Sequence, residues 1–262
     1  NLLYADTASR DSIIAFNEIA RPLYEKTFKR FKRVRNIDFN QGIDARLVTD
    51  KKIRKLAEIN IRPLRIAFDH YAMKDTYIAA VRTAAGHGIT DLSNYLLYNF
   101  EDTPDELYYR MKLNVDLCEE LGVTIYSFPM KYHPIDDPAY FRNRDYIGTH
   151  WNRKFIRSIQ AVLNATKGKI GRGKSFFEEA FGKDVDEFHK ILWMPEAFII
   201  HRFKYKENLT KEWWERFTNL NEYQINLLKE LVVLNHFEKN ATTGDKDVDE
   251  VLKYYTIKRD SH

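Results

Sequence analysis

Apolar and polar positions change rhythm twice along the chain, and each change predicts a class of element. Leu2-Leu3-Tyr4-Ala5-Asp6 is a short apolar run ending in a carboxylate, which predicts a buried strand. Ser9 and Asp11 are set to cap a following helix, with Ile13, Ile14, Phe16, Ile19 and Leu23 at helical spacing and Pro22 placed to kink it. Lys29–Arg35 is a basic run expected on a solvated helix face. Over Asn36–Leu47, Ile37, Phe39, Ile43 and Ala45 alternate with Asp38, Gly42, Asp44 and Arg46, the period of a strand. Thr49 caps a helix over Asp50–Ile59, Leu64–Phe68 forms a third strand ending in Asp69 and His70, and a helix over Asp75–His87 stops at Gly88. Ser93–Tyr98 is apolar and aromatic, and gives way to Asn99, Glu101 and Asp102. Thr103, Pro104 and Glu106 then spell the start of a helix that runs to Leu121 and stops at Gly122. A fifth strand, Thr124–Phe128, leads into Pro129, Met130, Lys131 and His133.

Five strands separated by four helices predict a parallel sheet, doubly wound or closed as a barrel. No glycine-rich dinucleotide turn follows any strand, which disfavours the doubly wound dinucleotide-binding form. Beyond Ile147 the pattern becomes helix after helix. Phe155, Ile159, Val162 and Leu163 make one stripe, Phe176, Phe177, Ala180 and Phe181 a second, and Trp213, Phe217, Leu220, Leu227, Leu231 and Leu234 a third. The expected organisation is a βα domain over Asn1–Ile147 and a helical region over Gly148–His262, with Asn240–Asp247 a polar loop.

Composition adds bounds. The chain has 262 residues, 44% of them hydrophobic, enough to bury a sizeable core. Its 42 basic and 38 acidic residues leave a net charge of +4, so the overall balance does not itself call for nucleic acid. The one cysteine, Cys118, excludes an intrachain disulfide and fits a reducing, cytoplasmic setting. No apolar run approaches the roughly 20 residues of a membrane span, so no membrane partner is expected. The chain opens on Asn1, inside a strand-like run, which suggests that residues precede it.

Candidate chemistry gathers at the strand exits, because parallel βα loops share one face. These exits hold Asp6; Gln41, Asp44 and Arg46; Asp69 and His70; Asn99, Glu101 and Asp102; and Met130, Lys131 and His133. The set contains no paired carboxylates around a nucleophile and no short metal-ligand spacing, so a zinc site is not expected. Gly168–Ser175 satisfies the phosphate-loop expression G-x-x-x-x-G-K-S, but the preceding Asn152–Thr166 has helical spacing where that loop needs a strand. Lys169, Arg172 and Lys174 remain candidates for contact with a phosphate or a substrate.

Taken as an ordered set, Leu3–Asp6, Gln41–Leu47, Leu64–Asp69, Asn94–Pro104 and Tyr126–Pro129 resemble the second to sixth βα units of a radical S-adenosylmethionine (SAM) enzyme. The likeness is closest to the branch of methylthiotransferase-like and cobalamin-associated members, and Asn99–Pro104 stands where that branch usually has a Gly-x-Pro-Gly-Glu-Thr type turn. The resemblance implies a partial six-unit βα barrel with its first unit missing, plus the helical C-terminal region. It implies SAM and a [4Fe–4S] cluster as cofactors, admits cobalamin, and requires a reductant such as a flavodoxin or ferredoxin. The cluster's Cys-x-x-x-Cys-x-x-Cys ligands are expected upstream of Asn1, since this chain supplies no metal ligands of its own. By strand order, Gln41 and Arg46 are expected at the polar end of SAM, Asp6 at its amino group, Asp69 and Asn94 at the ribose or methionine portion, and Asn99 and Pro129 near the adenine. Two rival readings stay open. One is a cluster-free scaffold that binds nucleic acid or a protein partner; the other is a nucleotide phosphatase working through Gly168–Ser175.

Overall fold

The structure is a computed structural model. It describes residues 11–12, 14–15, 18, 25–28, 31–34, 36–141, 145–170, 173–237 and 242–258. The chain forms two compact units, each made of several chain segments. The first comprises 1–97, 109–130 and 170–176; the second comprises 98–108, 131–169 and 177–262. The chain thus crosses between units after residues 97, 108, 130, 169 and 176, where sequence patterning placed one boundary after Ile147. The expected strand Leu2–Asp6 and residue Asp6 lie outside the described residues.

In the first unit, helical backbone at Asp11, Ser12, Ile14, Ala15 and Glu18 marks α1, as the apolar spacing predicts. The basic run that follows is a correction. Strands β1 (Glu25–Phe28) and β2 (Phe31–Val34) pair antiparallel, with Phe28 opposite Phe31 and Glu25 opposite Val34. Thr27, Phe28, Phe31 and Val34 prefer extended backbone, and that preference prevails over a helical reading based on charge alone. The alternating stretch after Asn36 is also shorter than expected. It contributes single parallel bridges, Ile37 to Ile61 and Ile43 to Ile66, and then a 3₁₀ turn at Ala45–Leu47.

Helix α2 (Asp50–Ala57) is capped by Thr49, whose hydroxyl accepts from the Lys52 amide. Strand β3 is confined to Leu64–Arg65 and pairs in parallel with β4 (Asp91–Tyr98), Leu64 opposite Leu92 and Arg65 opposite Ser93. Helix α3 (Lys74–Gly86) makes the crossover and ends at Gly88, whose φ of 80° lies in the left-handed region. Helix α4 (Pro104–Leu121) has the bounds that patterning predicts and opens on a reciprocal capping box between Thr103 and Glu106. Strand β5 (Thr124–Lys131) completes a three-stranded parallel sheet of order β3-β4-β5. With the Ile43–Ile66 bridge, each strand segment neighbours the next one in the chain.

The helix-facing side of this sheet is held by a closed polar cycle. The Tyr77 hydroxyl donates to Asn114 Oδ1 at 2.9 Å, Asn114 Nδ2 donates to Asn94 Oδ1 at 3.3 Å, and Asn94 Nδ2 donates to the Tyr77 oxygen at 2.9 Å. Asn114 Nδ2 also donates to Ser127 Oγ on β5 at 2.7 Å. All four residues are buried, as are Leu92, Leu96, Val115 and Ile125 on the same strands and helix. Burial pushes the Tyr77 hydroxyl far above the usual phenol range, so it keeps its proton for Asn114.

The second unit is helical, as the stripes predict. It contains α5 (Pro138–Phe141), α6 (Arg153–Thr166), α7 (Lys174–Phe181, entered at Phe177), α8 (Val185–Trp193), α9 (Glu196–Ile200), α10 (Arg202–Tyr205), α11 (Leu209–Thr218), α12 (Glu222–Leu234) and α13 (Lys246–Tyr255). Trp213, Phe217, Leu220, Leu228, Val232, Val248 and Tyr255 form its core. The third predicted stripe therefore packs at Trp213, Phe217 and Leu220, while Leu234 at its end is exposed. The polar loop before α13 is shorter than patterning suggests: Asp245 caps α13 and Asp247 is already helical.

Sequence patterning did not foresee a buried ion cluster here. Glu196 Oε1 sits 3.1 Å from Lys154 Nζ and 3.0 Å from Arg157 Nε, and Lys154 also donates to Ser158 Oγ at 2.8 Å. Burial works to raise the Glu196 carboxyl, and the two cations outweigh it, so its pKa lies below the usual 4.5. A lowered folded-state pKa contributes stability above the ordinary carboxyl value and loses it as pH falls through the lowered one. No helix among the described residues is long and apolar enough to cross a membrane.

Two outcomes are expected from these networks. Asn114→Ala strands the Asn94 and Ser127 side chains and should lower unfolding free energy by about 2 kcal/mol, read by urea denaturation. Glu196→Gln leaves Lys154 buried without its carboxylate and should cost about 3 kcal/mol at neutral pH. The same variant should show a flatter loss of stability on acidification than the parent, measured as denaturation midpoint against pH.

Candidate functional site at the open sheet face

Strand period places alternate residues of the sheet on opposite sides. Leu92, Asn94 and Leu96 face the helices, which leaves Ser93 and Tyr95 on the other side. Arg65, opposite Ser93, joins them there. Its guanidinium forks Asp38, Nε to Oδ1 at 3.2 Å and Nη2 to Oδ2 at 2.7 Å, and its Nη1 donates to Ser93 Oγ at 3.1 Å. The same cation stands 5.6 Å from the Tyr95 ring centre. The hydrogen bond from Arg65 holds the Asp38 carboxyl below the usual carboxylate range, and Asp38 in turn raises the Arg65 pKa.

An aromatic surface continues this face. Tyr95 and Phe128 have ring centres 5.7 Å apart, and Phe128 and Tyr126 4.5 Å. Tyr95 on β4 and Tyr126 and Met130 on β5 are exposed, as is Phe39 in the stretch before Ile43. Gly42 lies over Ala67: a β-carbon at Gly42 would stand 3.4 Å from that of Ala67, so two small residues keep this part of the face low. The surface therefore offers flat aromatic rings for stacking beside a fixed guanidinium, which the buried Ser93 hydroxyl helps to hold. Among the described residues of this face, Arg65 and Asp38 carry the charge and the aromatic rings the stacking area, groups suited to binding and orienting a ligand.

The exits next to this face are partly ordered by one buried side chain. Arg110 of α4 donates from Nη1 to the carbonyls of Phe68 and Asp69, at 3.4 and 2.9 Å, and from Nη2 to that of Leu97 at 2.8 Å. One guanidinium thereby fixes the ends of two neighbouring strand segments. Asp44 and Arg46 follow Ile43 as Ala67 and Asp69 follow its partner Ile66, so these exits leave from the same end. Asp69 is exposed there, whereas Gln41, also exposed, precedes Ile43 and so is not at that exit. Arg46 is exposed, and its Nη2 donates to Asp44 Oδ2 at 2.7 Å. Pro129 is half-buried on β5. Asn94 stands on the helix-facing side, its amide engaged by Tyr77 and Asn114.

In the second unit, the exit of β4 is built from Asn99, whose φ of 69° is a left-handed conformation that asparagine tolerates. Its Nδ2 donates to the carbonyls of Tyr132 and Tyr146, at 3.1 and 3.0 Å, and its Oδ1 accepts from the Gly148 amide at 3.0 Å. Three of the four hydrogen-bonding positions of this fully buried amide, both donors and one acceptor, therefore hold protein backbone. Trp151 Nε1 donates to the Asp102 carbonyl at 2.8 Å, and its ring packs 5.3 Å from Tyr98. Gly148 fits because it lacks a β-carbon, which would stand 2.4 Å from the Phe100 oxygen.

Around Gly168–Ser175 the chain leaves helix α6 and enters helix α7, with no strand before the loop. The Lys174 amide at the start of α7 donates to Glu119 Oε1 at 2.8 Å, the position that a phosphate oxygen takes in a phosphate loop. Lys169 and Lys174 are exposed, and Arg172 lies outside the described residues. Cys118 is buried, and its sulfur accepts from the Ile125 amide. Among the described residues no group of three histidines, cysteines or carboxylates is placed to hold a metal ion.

Sequence reasoning concentrated on strand exits and so missed Asp38, Arg65, Ser93, Tyr95 and Tyr126. The signal was present in Leu64-Arg65-Ile66-Ala67-Phe68, where a cation alternates with buried apolar residues inside a strand. Compared with known proteins, the chain matches no family model, no curated protein and no solved structure.

Gly148→Ala should force the backbone of Phe100 and Gly148 apart and destabilise the protein by about 2 kcal/mol. Faster hydrogen exchange at the residue-148 amide, relative to the amides of α12, should report the same opening.

Proposed function

We propose that this chain is the sheet-bearing and helical part of a radical SAM enzyme. The complete protein would cleave SAM reductively at a [4Fe–4S] cluster and direct the resulting 5′-deoxyadenosyl radical to a substrate of unknown class, in a reducing, cytoplasmic setting. The observation that carries this reading is the order of the parallel sheet. Each strand segment from Ile43 to Lys131 neighbours the next in the chain, as in a barrel and unlike a doubly wound sheet. A partial six-unit barrel is the closed-ended extension of that order, and the face around Arg65 and Tyr95, opposite the one that Tyr77 and Asn114 hold, would then be its inner wall.

In this proposal Arg65, Ser93 and Tyr95 orient ligand from the sheet face. Gln41 and Arg46 serve the polar end of SAM, Asp69 the ribose, and Asn99 and Pro129 the adenine. With its amide held by backbone at three positions, Asn99 acts through backbone and as the group that shapes the turn. Asn94 supports the strand from behind, in place of touching the methionine or ribose portion. Asp6 belongs to the same proposal from outside the described residues. Lys169, Arg172 and Lys174 are assigned to contact with substrate, which leaves nucleic acid open as a partner, along with a flavodoxin- or ferredoxin-type reductant. Cobalamin stays an admissible further cofactor.

The chain's own residues do not fit the cluster: it has one cysteine, buried and hydrogen-bonded. The proposal therefore takes the cluster ligands from outside these 262 residues, ahead of Asn1. The same observation favours a second reading, a cluster-free binding protein on this scaffold. The two separate in one experiment. The product of the whole reading frame is reconstituted anaerobically with iron and sulfide, reduced, and given SAM. About four irons per chain and release of 5′-deoxyadenosine are expected, with release reduced in Arg65→Leu. Iron-free protein that forms no 5′-deoxyadenosine would overturn the enzyme reading in favour of the binding protein.

A further inference from the structure

The helical second unit holds a cavity of about 520 Å³, within the size range of small-molecule sites. Its apolar wall comes from Ile191 on α8, Met194 at the end of that helix, and Phe198 and Ile199 on α9. Lys190 of α8, Arg202 of α10 and Thr210 of α11 supply polar groups to the same lining. None of these residues belongs to the sheet face or to the strand exits.

We propose that this cavity binds a small carboxylate with an apolar body, its charge held by Lys190 and Arg202 and its body lying against Met194 and Phe198. The charge pattern of the lining supports an anion. Four carboxylates also border the cavity, and three of them have cationic partners: Glu179 with Lys206, Glu187 with Lys183, and Glu207 with Lys211. The fourth, Glu178, is engaged as well. Lys190 and Arg202 are answered differently. The Lys190 ammonium lies 4.6 Å from the Trp214 ring centre, and Arg202 Nη1 donates to the Glu179 backbone carbonyl. Among the described residues neither forms an ion pair with a carboxylate.

Burial lowers the pKa of both cations and outweighs the opposing pull of Glu187 on Lys190 and of Glu179 on Arg202, carboxylates already paired with Lys183 and Lys206. A ligand carboxylate supplies a closer anion, and charge-assisted bonds of this kind are among the stronger polar contacts. The Thr210 Oγ1 atom is buried and has no hydrogen-bond partner, so it too has unused capacity at the lining. A bare inorganic anion would leave the apolar wall unoccupied, and a neutral amphiphile would leave the cations unanswered.

Titration calorimetry on the full 262-residue chain tests this, with sodium octanoate as the probe and octanol and inorganic phosphate as separate arms. Saturable octanoate binding is expected, with neither of the other two binding measurably. Lys190→Gln and Arg202→Gln should each weaken octanoate by about tenfold while keeping the parent's melting temperature. No saturable octanoate binding, or unchanged affinity in both variants, overturns the proposal. Equal binding of octanol overturns the anion requirement, and equal binding of phosphate overturns the apolar one. Should both charge variants lose their cooperative melt, Thr210→Val, which keeps side-chain volume, decides: unchanged octanoate affinity overturns the proposal and weakened affinity supports it.

Discussion

The cycle of hydrogen bonds among Tyr77, Asn94 and Asn114 is the constraint on which the sheet depends. Apolar packing alone presses helices against a sheet without fixing register, because it is not directional. A closed polar cycle is directional, and in a buried setting a slipped strand would leave amides unpaired. Asn94 must therefore face α3 and α4, and strand period then sends Ser93 and Tyr95 to the other side. Ser127, tied to Asn114, fixes β5 in the same way and sends Tyr126 and Phe128 with them. The open face is thus a consequence of what is bonded behind it. Its aromatic surface does not need an independent cause.

The cost of such a face is exposed apolar area, and the Arg65–Asp38 pair moderates it. An isolated guanidinium over Tyr95 would sample many rotamers. Forked onto Asp38 and bonded to Ser93, it is held over one part of the ring. The pair also ties the segment around Asp38 to β4 through a strand of only two residues. That explains how a weakly hydrogen-bonded edge keeps its place beside the sheet. Charge here acts as local scaffolding, which the near-neutral composition of the chain gives no hint of.

Legibility in the sequence follows the range of the interaction that decides each feature. Helix α4 was predictable residue for residue because its signals are local: Thr103, Pro104 and Glu106 at one end and Gly122 at the other. The order of strands and crossovers was legible for the same reason. The β1–β2 hairpin was not, since seven residues dominated by lysine and arginine carry a charge signal that outweighs the β preference of two phenylalanines and a valine. The strand after Asn36 was read as too long because alternation shows which face a residue prefers and not whether a neighbour is there to bond it. Asn94 and Asn99 were legible as polar residues in a strand and its exit. Their partners, Asn114 and Gly148, lie 20 and 49 positions away, beyond what local pattern carries.

The same argument separates two kinds of buried polar group in this chain. Asn99 is held on three sides: backbone groups take both its N–H donors and one acceptor position of its oxygen. Lys154 is enclosed as well, with Ser158 and Glu196 around it and the Tyr255 ring 5.7 Å away. Such groups shape a fold, because their alternatives are uniformly costly. Lys190 and Arg202 differ in that, among the described residues, neither forms a close ion pair, and burial outweighs the pull of Glu187 and Glu179 on them. A protein gains nothing in stability from a desolvated cation left in that condition. In the proposed carboxylate site the ligand would supply that compensation, which is what distinguishes these two cations from Asn99 and Lys154.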